Sequence, residues 1–169
     1  MKELLFLRHA KSSWEHGVTD RHRPLQSKGM KAIISVAQYY KSNFHSFDCM
    51  LSSPANRAFH TAAILAHEID FPLNNFLLRE DIYTFDSERI IALSKELDER
   101  WNKVILVGHN PAFTEAASYF SANATPELKT SDSVHLKFAQ KKWKDIAKGD
   151  SIYGSRKECT FKVCGTTRR

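Results

Sequence analysis

The chain has 169 residues, with 25 Lys+Arg against 19 Asp+Glu and a formal net charge of +6. With 42% hydrophobic and 26% charged residues, and only 6 Gly and 5 Pro, the composition excludes a disordered, collagen-like or disulfide-scaffold protein and predicts one globular domain over residues 1–169. Cys49, Cys159 and Cys164 match no common zinc or redox spacing and read as small apolar residues.

The first predicted element is a strand at Leu4–Leu7, an unbroken apolar run of the kind buried on both faces of a parallel sheet; Val104–Val107 is another. Both fall far below the roughly 20 residues of a bilayer-spanning helix, and Lys2, Glu3 and Arg8 make no signal-peptide pattern. The expectation is a cytoplasmic protein with no membrane partner. Ser27–Lys41 carries Met30, Ile33, Ile34 and Ala37 at helical spacing, with Ser27 in a capping position. A strand around Phe47–Ser52 leads through Ser53 and Pro54 into a helix whose inner face is Ala58, Ala62, Leu65 and Ile69. A further helix fits Ser87–Trp101 with Asp86 as N-cap, and the next begins with Asn110 capping and Pro111 in the first helical position. Val134–Phe138 alternates apolar with polar, as do Cys159, Phe161 and Val163, so both read as half-exposed strands near a sheet edge. Trp143–Ile146 fits either a turn or a strand. Strands alternating with helices predict a three-layer α/β/α sandwich with a mostly parallel sheet and right-handed crossovers.

The charge is unevenly placed. Residues 137–169 carry ten Lys/Arg against three Asp/Glu, a net +7, whereas residues 1–136 carry fifteen against sixteen, a net −1. Such a segment is either a docking face for an acidic partner or, more commonly, a solvated face; no nucleic-acid motif accompanies it, so nucleic acid is not an expected partner.

In open α/β sheets ligands sit outside the carboxyl ends of the strands. The polar groups predicted at those ends are Arg8 and His9, Arg57 just after Ser52, Ser53 and Pro54, and Gly108, His109 and Asn110. Two imidazoles and two guanidiniums from three strand ends would make a cationic pocket, and an Arg fork suits phosphoryl oxygens. A neutral imidazole in such a nest is a competent nucleophile near pH 7, with the arginines stabilising the transferring group, so no metal cofactor is expected.

The segment Leu7-Arg8-His9-Ala10-Lys11-Ser12-Ser13-Trp14 resembles the signature of the histidine phosphatase superfamily, the phosphoglycerate-mutase-like fold, with Ala10 where most members have glycine. The resemblance continues in order through Arg23–Gly29, Ser52–Ala58, Thr61-Ala62 and Gly108–Pro111, about two-thirds of the chain, and is most similar to the SixA-like phosphohistidine phosphatase branch. It implies that His9 becomes transiently phosphorylated while Arg8, Arg57 and His109 hold the phosphoryl oxygens. It further implies that Glu80 in Leu78-Arg79-Glu80-Asp81, with the adjacent Asp81 as the alternative, protonates the leaving group and then helps a water attack phospho-His9, and that Ser12 adds a phosphate hydrogen bond. Glu15 stands where mutase-type members often have Asn, which argues against mutase chemistry.

Only residues 70–86 are available as a cover between helices, so the pocket is expected to be shallow and open, suited to a phosphorylated side chain on another protein. The expected partner is therefore a phosphohistidine-bearing protein or a small phosphomonoester. The alternatives are a small-molecule phosphomonoesterase of the same superfamily and a non-catalytic phosphate-binding module. Lys11, like Ser12, also reads as an ordinary polar turn residue. His60 and His67, seven apart without a His-Glu-x-x-His pattern, read as solvated surface histidines; His16, His22, His45 and His135 have no evident sequence partner.

Overall fold

The computed structural model describes residues 1–15, 17–44, 46–155 and 160–163. Its strands are β1 (Lys2–Arg8), β2 (Cys49–Ser52), β3 (Phe76–Leu78), β4 (Lys103–Gly108), β5 (Ser133–Phe138), β6 (Asp150–Ser155) and β7 (Thr160–Val163). They form one sheet in the order β3-β2-β4-β1-β5-β6-β7. From β3 to β1 every pairing is parallel, and β5, β6 and β7 continue the sheet antiparallel.

The helices α1 (Ser27–Phe44), α2 (Asn56–Glu68), α3 (Ser87–Lys95) and α4 (Ala112–Phe120) cover both faces. Alternate residues of β1 divide between two cores, as the two-residue period of a strand requires. Leu5 and Leu7 pack with Ile33, Ala58 and Leu65 of α1 and α2, whereas Leu4 and Phe6 pack with Ile90, Phe113 and Phe120 of α3 and α4. The result is the expected α/β/α sandwich. Among the described residues no helix is long and apolar enough to cross a membrane.

Several boundaries differ from expectation for local reasons. Ser27 is the first helical residue of α1, and the Gln26 carbonyl ahead of it accepts from Met30 N at 3.0 Å. Asp86 does cap α3, accepting from Glu88 N at 2.9 Å, but the helix stops at Lys95 instead of Trp101. Beyond it Asp98 builds its own turn, accepting from Arg100 N at 2.9 Å with Oδ1, and this side-chain bond competes with helical pairing. Asn110 does not cap α4. Pro111 stands one place ahead of the helix, and the Asn110 amide instead donates to Leu128 O at 2.8 Å while its Oδ1 accepts from Thr114 Oγ1 at 3.1 Å. β5 is no edge strand, because it lies between β1 and β6; its inward Val134, Leu136 and Phe138 are buried. Trp143–Asp145 forms a 3-10 turn around the buried Trp143, whose indole donates to Trp101 O at 2.9 Å. Cys49 is buried in the β2 core and its thiol is pushed up to about 12 by burial. Cys159, Cys164, His16, His45 and the end of the basic segment lie outside the described residues.

Gly108 closes β4 where the chain must pass against the core. A Cβ there would overlap the Phe113 ring and lie 3.1 Å from Ile82 Cγ2. Gly108→Ala is expected to lower the unfolding free energy by about 1–3 kcal/mol, the usual cost of overpacking, read as a lowered urea midpoint at unchanged slope.

Candidate active site

The carboxyl ends of β1, β2 and β4 meet at one spot. β1 delivers Arg8, paired in register with Gly108 of β4, and then His9, whose N–H donates to Gly108 O at 3.0 Å. The His9 and His109 ring centroids are 5.2 Å apart. β2 leads into α2, whose first turn carries Arg57. Behind these, buried Thr61 receives Ala10 N at 2.9 Å and donates to Arg57 O at 2.6 Å, tying the loop after His9 to α2.

Two hydrogen bonds fix the tautomer of His9. Nδ1 lies 2.8 Å from Ala10 O, and a carbonyl only accepts, so Nδ1 carries the proton. Nε2 accepts from Arg57 Nε at 3.2 Å and therefore holds the lone pair. Burial lowers the His9 pKa to about 3 against the opposing bond to Ala10, with Arg57, Arg8 and Arg23 adding to the depression. His109 is lowered to about 2 by burial and then by His9 and Arg57. Both imidazoles are neutral at physiological pH. His109 Nε2 pairs with Ser53 Oγ at 2.8 Å, and its buried Nδ1 has no hydrogen-bond partner among the described residues.

Arg57 is 2% exposed and uses all three of its nitrogens: besides His9 it donates through Nη1 to Asp20 O at 2.5 Å and through Nη2 to Asp20 Oδ2 at 2.9 Å. Arg8 donates through Nη1 to Leu128 O at 2.7 Å, the carbonyl that also takes the Asn110 amide. Ser12 is buried, and its Oγ accepts from Arg23 Nη2 at 2.7 Å. A cavity of about 490 Å³ opens over this cluster, lined by Arg8, His9, Ser12, Arg57 and His109 with Lys11 at its wall. The predicted cationic pocket is thus assembled from the predicted strand ends.

Glu80 is the exception among the sequence-predicted residues. It opens a 3-10 turn at Glu80–Ile82, and its carboxylate forms a two-point pair with Arg21, at 2.6 and 3.0 Å, outside the cavity lining. The Arg21 hydrogen bond holds its pKa below the usual carboxylate range, and the pair is solvent-exposed. Asp81 is turned to Arg79, at 3.0 Å from Nε. The carboxylate that does line the cavity is Asp20, in the 3-10 turn Asp20–His22. Its Oδ1 accepts from Arg23 Nη1 at 3.0 Å, and its Oδ2 accepts from Tyr83 Oη at 2.9 Å as well as from Arg57. Burial opposes ionisation there, but the bonds from Arg23, Tyr83 and Arg57 outweigh it and bring Asp20 to about 2. Asp20 and Arg23 line the cavity without having been predicted from sequence, and the dense run Asp20-Arg21-His22-Arg23 directly before Pro24 is the signal that marks them; Tyr83, which supports Asp20, carries no such signal. The rim carries Trp14, stacked on the Arg23 guanidinium at 3.3 Å, and Phe85, 5.8 Å from the His109 ring.

Residues 4–81 match the family described as the histidine phosphatase superfamily (branch 1). An uncharacterised chloroplastic protein of Arabidopsis thaliana is 29% identical over 154 residues, covering 85% of this chain and 70% of its own. Among solved structures, the protein histidine phosphatase SixA complexed with tungstate superposes with a TM-score of 0.74 at 18% identity, over 95% of this chain and 94% of that one. A mycobacterial glucosyl-3-phosphoglycerate phosphatase superposes with a TM-score of 0.65 at 12% identity, over 99% and 100%. At these identities the two structures speak for the fold.

Proposed function

We propose that this chain, which belongs to the histidine phosphatase superfamily and is a phosphatase, acts on phosphohistidine in proteins through a phosphorylated His9. The observation that carries the reading is the state of His9: a neutral imidazole lining the cavity, with Nδ1–H held by Ala10 and the Nε2 lone pair toward the Arg57 guanidinium. That nitrogen attacks phosphorus. Arg8 and Arg57 neutralise the phosphoryl oxygens, the main source of acceleration in phosphoryl transfer, and supply the positive charge a metal ion would otherwise bring. His109 Nε2 is taken by Ser53, which leaves Nδ1 as the ring nitrogen for a phosphoryl oxygen. Ser12, which accepts from Arg23, lines the same cavity and has its hydroxyl proton to offer.

The substrate class rests on what covers the pocket. Between α2 and α3 there are only two 3-10 turns and the three-residue β3, with no inserted helix, and the rim residues Trp14 and Phe85 are 73% and 51% exposed. A side chain carried on another protein can enter such a mouth. SixA, the structural neighbour named for protein histidine phosphatase activity, supports this choice. A second reading, hydrolysis of a small phosphomonoester, is favoured by the cavity of about 490 Å³, room enough for a compact organic phosphate. Phosphate release from a phosphohistidine-bearing protein and from an aryl phosphate, both in EDTA, separates the two. Faster turnover of the phosphoprotein is expected; a preference for the small ester selects the second reading, and no release from either substrate leaves a phosphate-binding module.

Glu80→Gln provides a control on the proton donor. Because its carboxylate is spent on an exposed ion pair, the substitution is expected to change kcat/KM for an aryl phosphate by less than about threefold. A loss on the order of 10²-fold would return Glu80 to the chemistry.

A further inference from the structure

Transfer through His9 needs a proton delivered to the leaving atom in the first half-reaction and a proton taken from water in the second. Glu80 and Asp81 point to Arg21 and Arg79 outside the cavity lining, whereas Asp20 is the carboxylate on the cavity wall. Its position relative to the nucleophile is set by one side chain: the Arg57 guanidinium places Nε on His9 Nε2 at 3.2 Å and Nη2 on Asp20 Oδ2 at 2.9 Å. The carboxylate thus stands one guanidinium away from the His9 nitrogen, on the wall of the same cavity. Arg23 and Tyr83 hold it there from the far side, at 3.0 and 2.9 Å.

From this geometry we infer that Asp20 is the acid–base residue of the cycle, an assignment that rests on the phosphatase reading above. In the first half-reaction His9 Nε2 bonds to phosphorus, the bond from phosphorus to the leaving atom breaks with its electron pair going to that atom, and protonated Asp20 gives it a proton. In the second, a water oxygen bonds to phosphorus and one water proton passes to Asp20. The phosphorus–Nε2 bond breaks with its pair returning to Nε2, and phosphate departs. The free protein holds Asp20 ionised because Arg23, Tyr83 and Arg57 all donate to it. A phosphoryl group in the pocket draws Arg57 onto its own oxygens and brings negative charge beside the carboxylate, and both changes raise proton affinity. Substrate therefore converts a structural anion into a group able to carry a proton. Its charged neighbours in this exchange are Arg57, Arg23 and the bound phosphoryl group, with the Tyr83 hydroxyl as the fourth contact.

The test is Asp20→Asn, assayed with aryl phosphates of increasing leaving-group pKa, with rapid-quench counting of phosphoenzyme and a thermal melt of each protein. The expected loss is on the order of 10²-fold for phenyl phosphate and below about tenfold for a dinitrophenyl ester, whose leaving group needs no proton. Phospho-His9 should build up during turnover of the dinitrophenyl ester, since water attack has lost its base. An equal loss for every ester without phosphoenzyme build-up, the pattern of a displaced Arg57, overturns the assignment; so does an unchanged rate. Should the Asn variant melt well below wild type, Asp20→Glu decides instead: retention of a carboxylate predicts the wild-type leaving-group dependence, whereas the dependence of an enzyme without a proton donor overturns the assignment. Failure of wild type to hydrolyse any of these substrates removes the phosphatase reading itself, a result distinct from wild-type turnover that Asp20→Asn leaves uniform.

Discussion

His9→Ala is expected to hydrolyse both a phosphohistidine-bearing protein and an aryl phosphate at least about 10⁴-fold more slowly than wild type, with no phosphoenzyme trapped on acid or alkaline quench. The size follows from what is lost. The substitution removes the Nε2 lone pair together with the atom that Arg57 Nε contacts, and His109, 5.2 Å away between ring centroids, is tied to Ser53 and cannot take its place. The surrounding cations remain, so a residual rate above that of water reports what Arg8 and Arg57 contribute without a nucleophile. A variant that still accumulated phosphoenzyme would put the covalent step on another residue.

The same environment fixes the sign of the pH dependence. With pKa values near 3 for His9 and 2 for His109, both rings remain neutral down to pH 5, so kcat/KM should show no limb near 6.5 belonging to His9. Stability behaves differently. Below 6.5 the unfolded chain protonates these imidazoles while the folded chain does not, so the unfolded state binds more protons and stability falls as pH is lowered from 6.5 toward 3. Above 6.5 the contribution is complete. Urea titrations of wild type and His9→Ala at pH 7 and pH 5 check this: the variant should lose less stability across that interval. An equal loss would mean that His9 is protonated in the folded state.

The parts of the site carried by backbone periodicity were legible in the sequence. Leu4–Leu7 and Val104–Val107 are buried without exception, as a run of that kind suits an interior parallel strand, whose carboxyl end then becomes a ligand position. Arg8, His9 and His109 follow from those two strands, and Arg57 from the helix that must start after Ser52. What the sequence concealed depends on side-chain reach. Glu80 and Asp81 occupy a suitable position along the chain, but Arg21 and Arg79 capture them, pairings decided by how two surface turns meet in space. Asp20 enters the pocket because Arg57 and Tyr83, 37 and 63 residues away, converge on it. The antiparallel half of the sheet was only partly visible for a similar reason: β6, with Asp150, Ser151, Tyr153 and Gly154, has no strong apolar alternation and owes its strand form to pairing with β5.

Arg57→Ala is expected to lower kcat by about 10²–10³-fold, the usual cost of removing one preorganised donor from a developing oxyanion, and to weaken the binding of inorganic phosphate as an inhibitor. Arg57→Lys should recover less than about tenfold of that loss, although it restores the charge. The reason is geometric. Arg57 makes three simultaneous contacts, with His9 Nε2, Asp20 O and Asp20 Oδ2, from three nitrogens fixed in one plane. An ammonium on a flexible stem can replace one of these directions and leaves the other two unmet, and with them the link between His9 and Asp20. Phosphate inhibition constants for the two variants separate charge from shape: if the charge alone mattered, Lys would restore phosphate affinity and turnover together. Near-wild-type turnover in Arg57→Lys would show that a point charge suffices and that the fork between His9 and Asp20 has no part in the chemistry.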